Sequence, residues 1–165
     1  MKPIKLELVE FGPYHAETIE WSRVMNEPIF LITGKTGAGK STLFDAIVFA
    51  LYNGTSGGKA NETLRAKNAN PTTQTKVIFD FSVKSKKYKI TRTLAFTKPG
   101  NKTETPSKAE LSEEVDSQFK VIATKNVKEE IEKILGLDIE QFRKLIILPQ
   151  GQFKELLTSG SGEKE

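Results

Sequence analysis

Three segments that follow one another almost without a break constrain this chain more than anything else in it. Pro28-Ile29-Phe30-Leu31-Ile32 is a continuous apolar run, the pattern of a strand buried on both faces of a helix-covered sheet. Gly34-Lys35-Thr36-Gly37-Ala38-Gly39-Lys40-Ser41 then matches G-x-x-x-x-G-K-[ST]. Ser41 to Tyr52 follows as a predicted helix, apolar almost all round through Leu43, Phe44, Ile47, Val48, Phe49 and Leu51, and such a helix belongs inside a layered domain. A buried strand, a glycine loop and a buried helix in that order predict an α/β fold of the P-loop NTPase class.

The loop's composition has a chemical reason. Phosphate oxygens need backbone N–H groups around them, so Gly34, Gly37 and Gly39 supply tolerance of positive φ and room for a ligand, with Lys35, Thr36 and Ala38 completing the cradle. The helix opening at Lys40 and Ser41 directs free N–H groups and its positive dipole end at a β-phosphate. In that chemistry Lys40 bridges the β- and γ-phosphates, the Ser41 hydroxyl is a magnesium ligand, and Thr42 reaches the α-phosphate. ATP and Mg2+ are therefore the predicted cofactors. The competing explanation is a glycine-rich strand–helix turn that binds nothing.

The rest of a catalytic site is harder to find. None of Asp45, Asp80, Asp116 or Asp138 has glycine three residues on, as a GTPase switch requires, and Asn101-Lys102-Thr103-Glu104 only imitates a guanine-reading motif. An ATPase needs an apolar strand ending in acidic residues. Val77-Ile78-Phe79-Asp80 and Ile134-Leu135-Gly136-Leu137-Asp138 approximate it, but the first alternates and the second ends a helix. The sequence holds half a site.

With 165 residues the chain is within the range of one domain. It has no cysteine and a single histidine, His15, which excludes disulfides and His-rich metal or triad chemistry. No stretch approaches a membrane span or a signal peptide, so the expected location is cytoplasmic. The net charge of +4 leaves a nucleic-acid partner open.

Around the P-loop, Ile4–Leu8 alternates as a half-buried strand, Phe11-Gly12-Pro13-Tyr14 turns, and Ala16–Trp21 returns antiparallel, with Trp21 in the core and His15 on the surface. Asn53–Thr75 reads mostly as loop. Val77, Phe79, Phe81 and Val83 share a strand face, Lys84–Lys87 turns, and Tyr88–Phe96 pairs back. Thr97–Lys108, with prolines and a glycine, reads as poorly ordered. A strand near Phe119–Ile122, a helix from an Asn126 cap to Leu135 stopped by Gly136, and a helix from Asp138 towards Pro149 complete the pattern.

Together, Phe11-Gly12-Pro13-Tyr14, the P-loop and Leu148-Pro149-Gln150-Gly151-Gln152-Phe153 resemble the N-terminal region of the SbcC family, SMC-like members of the ABC-type ATPases that power the SbcCD nuclease. The resemblance runs over essentially the whole chain. It implies one nucleotide-binding lobe over 1–165, the N-terminal lobe of an ABC/SMC-type head with an antiparallel β-subdomain. It also implies a Q-loop around 148–153 whose Gln150 is a second magnesium ligand, and a coiled coil beginning near 161. Phe11–Tyr14 and, more loosely, Leu64-Arg65 would lie near the base or ribose.

The same resemblance implies partners: the C-terminal half of the full-length chain, a second head in a homodimer, an SbcD-type nuclease and double-stranded DNA ends, with no membrane. The signature loop, acidic strand and switch histidine of the family are not in this sequence, and Ser56-Gly57-Gly58 is misplaced for a signature. Lys84, Lys86, Lys87, Lys89 and Arg92 form a hairpin cluster that can either meet DNA phosphates or guard a sheet edge. Two rivals remain: a self-sufficient P-loop enzyme such as a nucleotide kinase, and a non-catalytic nucleotide-binding assembly module.

Overall fold

The computed structural model describes residues 1–21, 32–58 and 60–146. Strands β1 (Lys2–Phe11) and β2 (Tyr14–Glu20) form the first hairpin, and helix α1 (Lys40–Tyr52) follows the glycine loop. Strands β3 (Lys76–Val83), β4 (Lys86–Thr93), β5 (Lys108–Val115) and β6 (Gln118–Ala123) come next. Helices α2 (Val127–Leu135) and α3 (Ile139–Ile146) close the described part. The strands make one six-stranded sheet in the order β2-β1-β3-β4-β5-β6, antiparallel throughout.

Alternation decides which face is buried. The register aligns Leu6, Phe79, Ile90 and Leu111 across four neighbouring strands, and all four are fully buried. Val77 and Phe81 extend that face, where α1 packs through Val48, Phe49 and Leu51. Phe79 stacks on Phe81 at 5.3 Å between ring centroids, Phe81 stacks on Tyr88 at 5.5 Å, and Trp21 meets Phe79 edge-on at 6.4 Å. Each buried phenyl is worth about 2–3 kcal/mol in area removed from water, so this aromatic row is a principal support of the sheet.

The opposite face carries Lys5, Asp80, Lys89 and Ser112 in one cross-strand row. Asp80 Oδ1 has no hydrogen-bond partner among the described residues, and burial pushes its carboxyl pKa up against the pull of Lys89 and Lys5.

Most sequence expectations stand, with shifted bounds: both hairpins, the P-loop helix, the strand near Phe119 and the last two helices are present. Gly136 stops α2 as expected, its N–H returning to Glu132 O at 2.8 Å. Asn126 occupies the cap of α2 without a side-chain bond, whereas Asp138 begins α3 with a reciprocal pair, its Oδ1 accepting Gln141 N–H at 2.8 Å and Gln141 Oε1 accepting its own N–H at 3.0 Å.

Four expectations need correcting. Strand β5 is absent from the sequence pattern, because Lys108–Val115 is mostly charged and small residues with a single buried large apolar side chain, Leu111. Thr97–Lys108 is not simply irregular: Phe96 and Thr105 exchange backbone bonds of 2.9 and 2.8 Å that close its base. Phe44 is 39% exposed, so α1 is not enclosed on every side by described residues. Lys86, Lys87 and Lys89 sit on β4, an interior strand, and Lys84 lies in the turn before it, so edge protection is not the role of the β4 lysines.

That hairpin is not a free basic patch either. Lys86 pairs with Glu113 at 2.7 Å, Lys87 with Glu114 at 2.8 Å and Lys89 with Asp80 at 3.6 Å, while Arg92 is buried on the core face. The expected strand Pro28–Ile32 lies outside the described residues except for Ile32, which packs partly buried against the core. The Leu148–Phe153 segment and the coiled coil expected near 161 also lie outside them.

Candidate phosphate-binding site

The glycine loop stands on the surface at the start of α1, with Thr33 to Ala38 all exposed. Ala38 N–H returns to Lys35 O at 3.1 Å, making a tight turn, and Gly37 and Gly39 take left-handed φ of 83° and 89°. Lys40 folds back over this turn: its ammonium donates to Gly34 O at 2.7 Å and Lys35 O at 2.9 Å. An ammonium has three donors. Its charge therefore sits over the loop with capacity for a further acceptor.

Helix α1 begins at Lys40 with Gly39 as its cap residue, without a side-chain cap bond and without an acidic residue in its first turn. The first N–H groups of a helix have no intrahelical partner, and here no side chain among the described residues caps them. Ser41 is exposed on that turn and Thr42 is half-buried beside it. Uncapped N–H groups, a lysine ammonium and a hydroxyl in one place fit a phosphate chain and its accompanying magnesium. In such a fit the ammonium and N–H groups hold phosphate oxygens, and the Ser41 hydroxyl is the oxygen donor of the kind magnesium takes. Gln150, the other expected magnesium ligand, lies outside the described residues.

The Phe11–Tyr14 turn is built against this loop. A methyl group on Gly12 would lie 2.5 Å from Thr42 Cγ2, and one on Gly39 would lie 2.6 Å from Pro13 Cγ and 2.7 Å from the Tyr14 hydroxyl. Tyr14 donates its hydroxyl to Gly39 O at 3.2 Å. The sequence marks this turn only by resemblance, as a neighbour of the base. Its hydrogen bond is to the P-loop backbone.

Around the turn, two charged residues organise the following loop. Glu10 is buried; its carboxylate accepts Asn70 N–H at 3.1 Å and lies 2.8 Å from His15 Nδ1, contacts that hold its pKa below the ordinary carboxylate value, the His15 bond most of all. Arg65 donates to Thr73 O, Thr75 Oγ1 and Asn70 O, and its guanidinium lies 4.7 Å above the Phe96 ring. In these contacts Arg65 pins the loop.

The far end of α1 is secured in a way that the sequence did not reveal. Arg92 donates to Ala50 O at 2.8 Å and to Leu51 O at 3.4 Å, and burial lowers its pKa to about 10. Arg143 on α3 donates to Thr55 O at 2.9 Å, and Asp45 accepts the backbone N–H of Ser56 at 2.8 Å. Tyr52 donates to Leu137 O at 2.8 Å and its ring meets Phe142. A buried arginine inside an apolar strand pattern was the available signal.

The two acidic segments noted in the sequence are not part of the site. Asp80 alternates with Phe79 and Phe81 and so faces away from α1, and Asp138 is committed to capping α3.

The sequence profile of the AAA domain family matches residues 5–164. The chain belongs to the AAA domain family. This AAA domain is 42% identical over 168 residues to the SbcC component of the SbcCD nuclease of Staphylococcus epidermidis. It is 41% identical over 170 residues to that of Staphylococcus haemolyticus and 39% over 168 residues to that of Staphylococcus aureus. Each alignment covers all of this AAA domain, which spans 17% of the length of those relatives.

Proposed function

We propose that this chain is the ATP- and magnesium-binding part of the ATPase head of an SbcCD-like nuclease complex. The observation that carries the reading is the uncapped, acid-free start of α1 behind an exposed glycine loop, with the Lys40 ammonium folded over it. Membership of the AAA domain family and about 40% identity to SbcC proteins support the assignment.

In this reading Gly34 to Gly39 and the first N–H groups of α1 hold the phosphate chain. Lys40 moves from the Gly34 and Lys35 carbonyls to the β- and γ-phosphates, and Thr42 meets the α-phosphate. Bound magnesium supplies charge neutralisation, with Ser41 and Gln150 as its protein ligands. The residues that would polarise the attacking water come from the C-terminal half of the full-length protein and from a second head, so ATP closes two heads upon one another. That closure governs an SbcD-type nuclease acting on double-stranded DNA ends. The lobe over 1–165, a coiled coil from near 161 and a cytoplasmic location belong to the same reading; no described helix is long and apolar enough to cross a membrane.

The test is ATP hydrolysis by this chain alone, mixed with the remainder of the full-length protein, and by the full-length protein carrying Lys40→Ala. Turnover only in the mixture, abolished by Lys40→Ala, is the expected result. Robust Lys40-dependent turnover by the chain alone would mean a self-sufficient P-loop enzyme such as a nucleotide kinase.

A further inference from the structure

We infer that Tyr14 is a positioning residue of the P-loop, whose hydroxyl fixes the Gly39–Lys40 peptide so that the Lys40 N–H faces a bound phosphate. The inference rests on the phosphate-site reading above and goes beyond it, because it assigns the loop's shape to a strand hairpin distant in sequence.

The geometry starts at one carbonyl. Gly39 O accepts two donors, the Tyr14 hydroxyl at 3.2 Å and the Leu43 N–H, the first bond of α1, at 3.3 Å. A carbonyl has two lone pairs, so both bonds can exist together. In a planar trans peptide the carbonyl of one residue and the N–H of the next point in opposite directions. Holding Gly39 O from the helix side therefore turns the Lys40 N–H outward, beyond the helix end. That is where the ammonium of the same residue already lies.

The support is itself tied to its neighbours. Gly12 N–H donates to Leu64 O at 2.7 Å, and Phe11 and Tyr14 pair at the end of the β1–β2 ladder. The turn presses on the loop at two further places, Pro13 against Gly39 and Gly12 against Thr42, where no added methyl group would fit. The loop, by contrast, is exposed from Thr33 to Ala38. Burial pushes the Tyr14 hydroxyl pKa upward, so it stays a donor at neutral pH.

The alternative is that Tyr14 contacts the base or ribose of the nucleotide. Titration calorimetry of the full-length protein with magnesium ATP and with magnesium tripolyphosphate, which has no base or sugar, separates the two. Tyr14→Phe keeps the ring and removes only the donor. It should weaken both ligands by the same factor, about five-fold for one neutral hydrogen bond, with the ligand-free melting temperature unchanged. Weaker ATP binding with tripolyphosphate untouched would overturn the inference in favour of a base contact. No change for either ligand would overturn it outright, as would a fall in ligand-free melting temperature large enough to account for the weaker binding. Lys40→Ala serves as control: if it leaves tripolyphosphate binding intact, the phosphate-site reading itself fails, whatever Tyr14 does.

Discussion

The two ends of α1 are treated in opposite ways. At its C-terminal end Arg92 answers the carbonyls of Ala50 and Leu51, Asn53 N–H returns to Phe49 O, and Arg143 holds the next loop through Thr55 O. At its N-terminal end there is no side-chain cap and no acidic residue in the first turn, and among the described residues Lys40 bonds only exposed loop carbonyls. One end uses protein donors to satisfy itself. The other has no side-chain acceptor among the described residues. That asymmetry is what the proposed phosphate grip requires: a helix start without protein acceptors and a far end tied down by Arg92 and Arg143.

That contrast is testable, beginning with the largest effect. Lys40→Ala should reduce ATP turnover of the full-length protein by about two to three orders of magnitude, the scale for loss of a charged group aimed at the reacting phosphates. Its melting temperature without ligand should barely change, because the bonds made by Lys40 are exposed. A large loss of stability would break the comparison, since the N-terminal end would then be a structural end too.

Arg92→Met should do the reverse. It leaves two C-terminal carbonyls of α1 without their buried donor and should cost about 2–3 kcal/mol in denaturant unfolding. ATP affinity measured below the transition should stay close to that of the unchanged protein. Asp138→Ala removes the cap of α3, the helix that carries Arg143, and should cost about 1 kcal/mol in the same measurement.

The smallest effect is a pH dependence at the hairpin that supports the loop. The folded-state pKa of Glu10 lies below its ordinary value of 4.5, mainly through His15 and then Asn70. Its contribution to stability is therefore complete above about pH 4.5 and is lost as pH falls through the lower folded value. Glu10→Gln should flatten that part of the acid unfolding curve. An acid limb identical in the two proteins would show that Glu10 contributes nothing through its charge.

Where the signal was local, the sequence was sufficient. Val77, Phe79 and Phe81 announced β3 by strict alternation, and the glycine spacing announced the turn before α1. Strand β5 escaped because alternation in Lys108–Val115 is carried by Glu110, Ser112 and Glu114 on one face, with Leu111 the one large apolar side chain buried on the other, where Val115 stays exposed. Its place is set by the ladder to β4 and by Leu111 opposite Ile90, with Lys86 and Lys87 pairing Glu113 and Glu114, and periodicity within one segment cannot register such partners. Arg92 is hidden for the same reason: it falls among the hairpin lysines in sequence, yet shares its face with Ile90.

By itself the sequence determined the loop, the helix it opens, the hairpins and the kind of ligand that the loop chemistry admits. These follow from the φ range of glycine, the strand period of two and the free N–H groups at a helix start, all set within a few residues. The tertiary structure alone decided what holds that site in shape. Tyr14 reaches Gly39 across 25 positions, Arg92 reaches Ala50 across 42 and Arg143 reaches Thr55 across 88. A hydrogen bond depends on distance in space, and only packing of the sheet against α1 brings those donors to their carbonyls.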